Sequence, residues 1–163
     1  MKQFARERLR LILLIYSKQT DTLMDVIFQN TKQTSVTSVD REGQYYLIYS
    51  EGHVNVDDFK GGFNAILEDV KQSSKISTVI IDIKKVKSTP LLGRTWLVTS
   101  YLPELYKSIE GKLQIGVINS DSFIEGTTIK LLVTSIQTMG LDLGIKFYKN
   151  AEEAKKALTE TKA

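Results

Sequence analysis

Residues 84–89, Lys-Lys-Val-Lys-Ser-Thr, place three cations and two hydroxyls within six positions, directly before Pro90 and a helix-like run. Two kinds of chemistry suit such a stretch. Lys84, Lys85 and Lys87 beside the unpaired N–H groups of a helix start can hold a phosphate or a carboxylate. A phosphoryl group carried by Ser88 or Thr89 is stabilised by the same groups. The plainer reading is a solvated turn in which Thr89 is the N-cap and Pro90 occupies the first helical position, where its missing N–H costs nothing. The chain contains neither G-x-x-x-x-G-K-[ST] nor G-x-G-x-x-G, so no ready-made nucleotide cradle accompanies the lysines.

His53 is the single histidine, placed after Gly52 at the end of a strand-like run. It is a candidate base or pH-sensitive group, and its surroundings in the sequence read more simply as a turn histidine bonded to backbone or water. Cysteine is absent, which removes thiolate catalysis, disulfides and Cys-ligated zinc and fits an intracellular protein. A Ser-His-Asp triad would have to be built on His53, and a metal site would have only carboxylates beside it. Asp82 and Asp121 are two carboxylates without a spacing that specifies acid/base work. The residues therefore name no catalytic group, metal site or cofactor, and leave a candidate binding set of His53, Lys84, Lys85, Lys87, Ser88, Thr89, Asn119 and Asp121.

The net charge of +3 is uneven along the 163 residues. All of it lies in residues 1–23, and residues 24–163 carry 17 basic and 17 acidic side chains. The bulk electrostatic case for a nucleic-acid partner is therefore missing. In the leader, the apolar run Leu11 to Tyr16 is too short to span a membrane and lacks a signal-peptide cleavage site. It reads as an extra strand or helix packed on the domain, as a start placed too early with Met24 the true first residue, or as a weak interfacial anchor. Residues 24–163 read as one domain.

Those candidate residues need strands and helices to position them. "VIF" at 26–28, "TSVTSV" at 34–39 and "YYLIYSE" at 45–51 read as strands with "DREGQ" as a turn, an antiparallel start to a sheet. Val56, Phe59, Phe63, Ile66, Leu67 and Val70 recur at helical spacing behind Asn55 as cap. Gly61 and Gly62 inside that helix cost about 1 kcal/mol each against Ala, which calls for close packing on the sheet or, as the alternative, a ligand that approaches the helix. "STVIIDI" at 77–83 and "LQIGVIN" at 113–119 are apolar runs suited to strands covered on both faces. Between them Leu92, Trp96, Thr99 and Leu102 give the buried stripe of a helix that Pro103 should kink or end. Ser122 with Glu125 and Asn150 with Glu153 are capping boxes. The first precedes a core stripe of Ile129, Leu132, Val133, Ile136 and Met139, closed by Gly140, and "LGIKFY" at 143–148 is the last strand. The expected fold is α/β: a mixed, mainly parallel sheet with an antiparallel N-terminal part and about four helices. In such sheets ligands collect beyond the carboxyl ends of the parallel strands, which is where the binding set falls.

From about Val26 to Leu158 the order of these segments resembles the STAS-like single-domain proteins related to anti-sigma factor antagonists and to the CRAL-TRIO-like superfamily, in the branch found in Bacteroidetes-type bacteria. The points of likeness are "YYLIYSEGHVNVDDF", "VIIDIKKVKSTP", "TWLVTSYLPEL" with Trp96 and Pro103, and "IKFYKNAEEAKKAL". The resemblance implies a four- to six-stranded sheet with about four helices. It also implies a regulatory serine at the start of the helix after the "D-L" strand, in a "D-S-S-G" context. Here that stretch is "KSTPLLG", which keeps Ser88 and Thr89 and lacks the Asp and the Ser-Gly pairing. The function it implies is a non-enzymatic cytoplasmic module that binds a protein partner or small ligand around Ser88 and Thr89. A carrier of a lipid-like molecule is the alternative, and an enzyme built on His53 or Asp121 the third reading. An exposed N-terminal edge strand would allow a homodimer.

Overall fold

A computed structural model of the chain describes residues 7, 8, 10–12, 24–72, 74–109 and 112–160. The strands are β1 (Asp25–Gln29), β2 (Ser35–Asp40), β3 (Tyr45–His53), β4 (Thr78–Ser88), β5 (Leu113–Ile118) and β6 (Leu143–Tyr148). The helices are α1 (Val56–Lys71), α2 (Leu91–Trp96), α3 (Leu102–Ser108), α4 (Phe123–Gln137) and α5 (Ala151–Thr159), with a π-helical turn at Leu97–Tyr101 joining α2 to α3. The strands lie side by side in chain order, β1-β2-β3 antiparallel and β3-β4-β5-β6 parallel. The expected mixed sheet is therefore present, with five helices among the described residues from 24 onward.

Because each parallel strand is placed next to its predecessor and always on the same side, right-handed crossovers put their helices on one face. The packing agrees. Phe63, Ile66 and Leu67 of α1, Tyr101, Leu102 and Leu105 of the second crossover, and Ile129, Val133 and Ile136 of α4 form one core with Ile48, Val79, Ile83, Ile115 and Val117 of the sheet. On the other face α5 contributes Ala154 and Leu158 to a smaller core with Tyr45, Leu47, Tyr49, Ile80, Ile118, Met24 and Ile12. Burial of Ile12 means that part of the leader packs on the domain.

Local chemistry accounts for the irregular points. A Cβ at Gly61 would collide with the Phe28 ring, and one at Gly62 would lie 3.0 Å from Thr37 Oγ1, which donates to Gly62 O (3.1 Å). The two glycines let α1 lie close on β1 and β2, as their cost in a helix required. Pro103 has no N–H for the carbonyl four residues back. The helix meets this by widening: Leu102 N–H donates to Leu97 O, five residues back, so the π turn carries the chain past the proline.

The main departure from expectation is the length of β4. The lysine stretch is strand, not turn. Tyr49 stands opposite Asp82 but Glu51 opposite Lys85, and Gly52 opposite Val86 but His53 opposite Ser88. Each shift inserts one extra residue into β4, a bulge. With two bulges, Ile83, Val86 and Thr89 are all buried while Lys84, Lys85 and Lys87 are all exposed. A burial spacing of three fits neither a regular strand nor a helix, so the sequence pattern appeared to end at Ile83.

Candidate functional site

The bulged end of β4 extends past Ile118, the end of β5, which stands opposite Asp82. Its free edge is closed by the loop at 119–122. Asp121 N–H donates to Lys84 O (2.9 Å), and Ser120 Oγ donates to Val86 O (2.5 Å). Asn119 holds that loop, donating from Nδ2 to Gly126 O (3.1 Å) and accepting from Ser120 N–H (2.9 Å). A Cβ at Gly126 would come within 3.1 Å of Ser120 O, so the glycine permits the close fit. Asn119 thus shapes the rim, whereas exposed Asp121 faces solvent.

His53 has a partner that no sequence spacing indicated. Its Nδ1 lies 2.7 Å from Ser88 Oγ, because the second bulge sets the two residues opposite each other. The expectation of a turn histidine bonded to backbone or water is corrected accordingly. Among the described residues no carboxylate is hydrogen-bonded to His53, so nothing fixes the ring as the third member of a triad does.

Thr89 is not a helix cap. Pro90 takes the N-cap position with no side-chain cap bond. Thr89 is buried instead: its hydroxyl donates to the Glu125 carboxylate and accepts from Arg94 Nη1 (2.8 Å), which also donates to Thr89 O (2.6 Å). Glu125 is only 4% exposed. Its capping box is half made, with Ser122 Oγ accepting from Glu125 N–H at 3.5 Å while the carboxylate turns inward to Thr89. Of the two hydroxyls in the stretch, Ser88 is half-buried and Thr89 buried. Asp82 accepts from Lys84 N–H (3.0 Å), and burial raises its pKa, with a smaller push from the charge of Asp121.

The Thr89–Glu125 bond joins the starts of α2 and α4, and four large apolar side chains are exposed on those starts: Leu91 (69%), Leu92 (71%), Phe123 (88%) and Ile124 (78%). Lys84, Lys85 and Lys87 lie on the strand that runs into α2. Leu92 and Thr99, expected on a buried stripe with Trp96 and Leu102, are both exposed, because the buried side of this segment runs through Gly93, Leu97 and Tyr101 to Leu102. Single exposed apolar residues are ordinary, but a cluster rimmed by charge marks an interaction surface. A signal was available: "FIEGTTIKLLVTSIQ" carries only Glu125 and Lys130 as charges, which leaves α4 without the usual charged outer face. Glu51, nearer the leader, accepts from Tyr49 OH (2.6 Å) and pairs with Arg8.

Beneath the helix layer lies an apolar cavity of about 90 Å³ lined by residues that include Phe63, Leu97, Tyr101, Val117, Ile129 and Val133. A dry cavity that admits benzene is about 150 Å³. A lipid-like cargo would thus need the helices to lift. Among the described residues no group of three or more acidic or histidine side chains could hold a metal ion, and no helix is long and apolar enough to cross a membrane. No protein-family model, curated protein or solved structure matches the chain.

Proposed function

We propose that this chain is a STAS-like, non-enzymatic binding module of the cytoplasm that engages its partner at the carboxyl rim around Ser88. The observation that carries this reading is the joint exposure of Leu91, Leu92, Phe123 and Ile124 beside Lys84, Lys85 and Lys87. Leaving four large apolar side chains in water forgoes on the order of 1.5–3 kcal/mol each that burial would return. The polar groups nearby are committed to structure. Thr89 and Glu125 bond each other, Asn119 holds its own loop, and among the described residues no carboxylate orients the His53–Ser88 pair. Exposed apolar side chains flanked by cations support a binder.

The test is the size of the protein in freshly lysed cells without detergent. Wild type is expected mainly in assemblies heavier than its 18.4 kDa chain. Replacing Lys84, Lys85 and Lys87 together by Glu should release the free chain while leaving the melting temperature within a few degrees of wild type. A wild type that runs as the free chain, or assemblies that survive the triple replacement, would count against the reading.

A further inference from the structure

The hydroxyls on α4 and on the segment that starts at α2 bond to their own helix, as those of Ser108 and Thr159 do elsewhere in the fold. Thr127 donates to Phe123 O (2.9 Å), Thr128 to Ile124 O (3.0 Å), Thr134 to Lys130 O (3.0 Å) and Ser135 to Leu131 O (3.1 Å). On the neighbouring helix Thr95 donates to Leu91 O (3.1 Å) and Thr99 to Thr95 O (2.9 Å). Each hydroxyl satisfies itself on the turn below, as Ser and Thr do in membrane helices, and so spends its donor within the helix. Leu131, 65% exposed, continues the apolar strip from Phe123 along α4. Of the exposed residues of α4, Phe123, Ile124 and Leu131 are apolar, and Lys130 is the one that carries a charge.

We infer that this face is a docking surface for an anionic lipid bilayer, with Phe123, Ile124, Leu91 and Leu92 entering the headgroup–acyl boundary. The inference rests on the binding reading above and names its partner. Two observations favour a bilayer. Phe123, Ile124, Leu91 and Leu92 suit the acyl side of a headgroup–acyl boundary. A second copy of the chain set face to face would bring both sets of Lys84, Lys85, Lys87 and Lys130 into one interface. Anionic headgroups complement those charges, each worth about 1 kcal/mol near such a surface. Acidic residues do stand at the same end of the sheet, Asp121 in the rim loop and Asp57 and Asp58 at the start of α1, and Asn30 and Asn55 side chains both donate to Asp58 (2.8 and 2.9 Å). Arg8 pairs with Glu51 near the end of β3, at this same end of the sheet. With 15 residues, α4 lies in the interface plane and does not cross it.

Vesicle co-sedimentation tests this with the full chain. Binding is expected to vesicles of phosphatidylcholine with added phosphatidylglycerol, to be weak with phosphatidylcholine alone, and to fall steeply with added salt. Phe123→Ser and, separately, Ile124→Ser should each lower the bound fraction by about tenfold. Lys84→Glu, Lys85→Glu and Lys87→Glu together should lower it by roughly a hundredfold. The same charge change at the opposite end of the sheet, in Lys71, Lys75 and Lys112, should leave binding within about twofold, since those charges lie beyond a Debye length of the contact. No binding to the anionic vesicles, or binding untouched by both serine variants, would overturn the inference. If lysine-dependent assemblies are present in lysate while purified protein ignores vesicles, the binding reading stands and the partner is a protein.

Discussion

Thr89→Val is expected to destabilise the fold by about 2–3 kcal/mol at neutral pH, because it leaves a buried carboxylate without its hydroxyl donor. Valine keeps the shape of threonine and removes the bond to Glu125 and one acceptor of Arg94. For a domain with a typical 5–15 kcal/mol of total stability this is a large share. The companion change separates the bond from the packing. Glu125→Met removes the charge that valine strands, so the Thr89→Val/Glu125→Met double variant should be less destabilised than the sum of the two singles by at least about 1 kcal/mol. Urea unfolding of the four proteins measures the coupling. Strict additivity would mean that the contact contributes nothing and that the starts of α2 and α4 are held together by apolar packing alone.

At the opposite end of the sheet, Asp69→Asn is expected to cost about 1–2 kcal/mol at pH 7 and to change how stability depends on acid. Arg41 donates to both Asp69 oxygens (2.8 and 2.7 Å), and Tyr46 OH donates to the same carboxylate (2.7 Å). The Arg41 bonds, more than any other contact, hold the Asp69 pKa below its ordinary value against the opposing effect of burial. A carboxylate whose pKa is lower in the folded chain adds stability above its unfolded pKa, about 3.9 for Asp, and loses it as pH falls through the folded value. Wild type should thus exceed Asp69→Asn by its full margin at neutral pH, and the gap should close progressively below about pH 4. Arg41 is half exposed, so solvent screening keeps the figure at the low end. A gap that stays constant from pH 7 to pH 3 would show that the loss comes from packing, with no linked proton.

Much of the fold was legible because its strands and helices follow simple periods. The apolar runs of β4 and β5, the Asn55 and Asn150 caps and the spacing of Phe63, Ile66, Leu67 and Val70 point to elements that the structure contains. The carboxyl rim was legible as a place, since the lysines, His53, Asn119 and Asp121 all gather there. Its wiring was not. Two bulges carry β4 through a stretch that looks like a turn, and they alone bring Ser88 to His53. Thr89 and Glu125 are 36 residues apart, and each was read as a cap for its own helix because local spacing cannot show a bond between helices. The exposed Phe123, Ile124 and Leu131 of α4 were visible only as a scarcity of charge, because the core-facing stripe of Ile129, Val133 and Ile136 has the same apolar composition and periodicity alone does not separate the two faces.

The rim is tested most directly by photo-cross-linking in living cells, with benzoylphenylalanine in place of Ile124 and, as the control at the far end of the sheet, in place of Glu42. The partner-facing position should yield discrete adducts, to lipid if the bilayer is the partner, and the Glu42 position should yield none. Equal labelling at both positions, or no adduct at 124 in cells where the full-length protein accumulates, would contradict a binding surface at this end of the sheet.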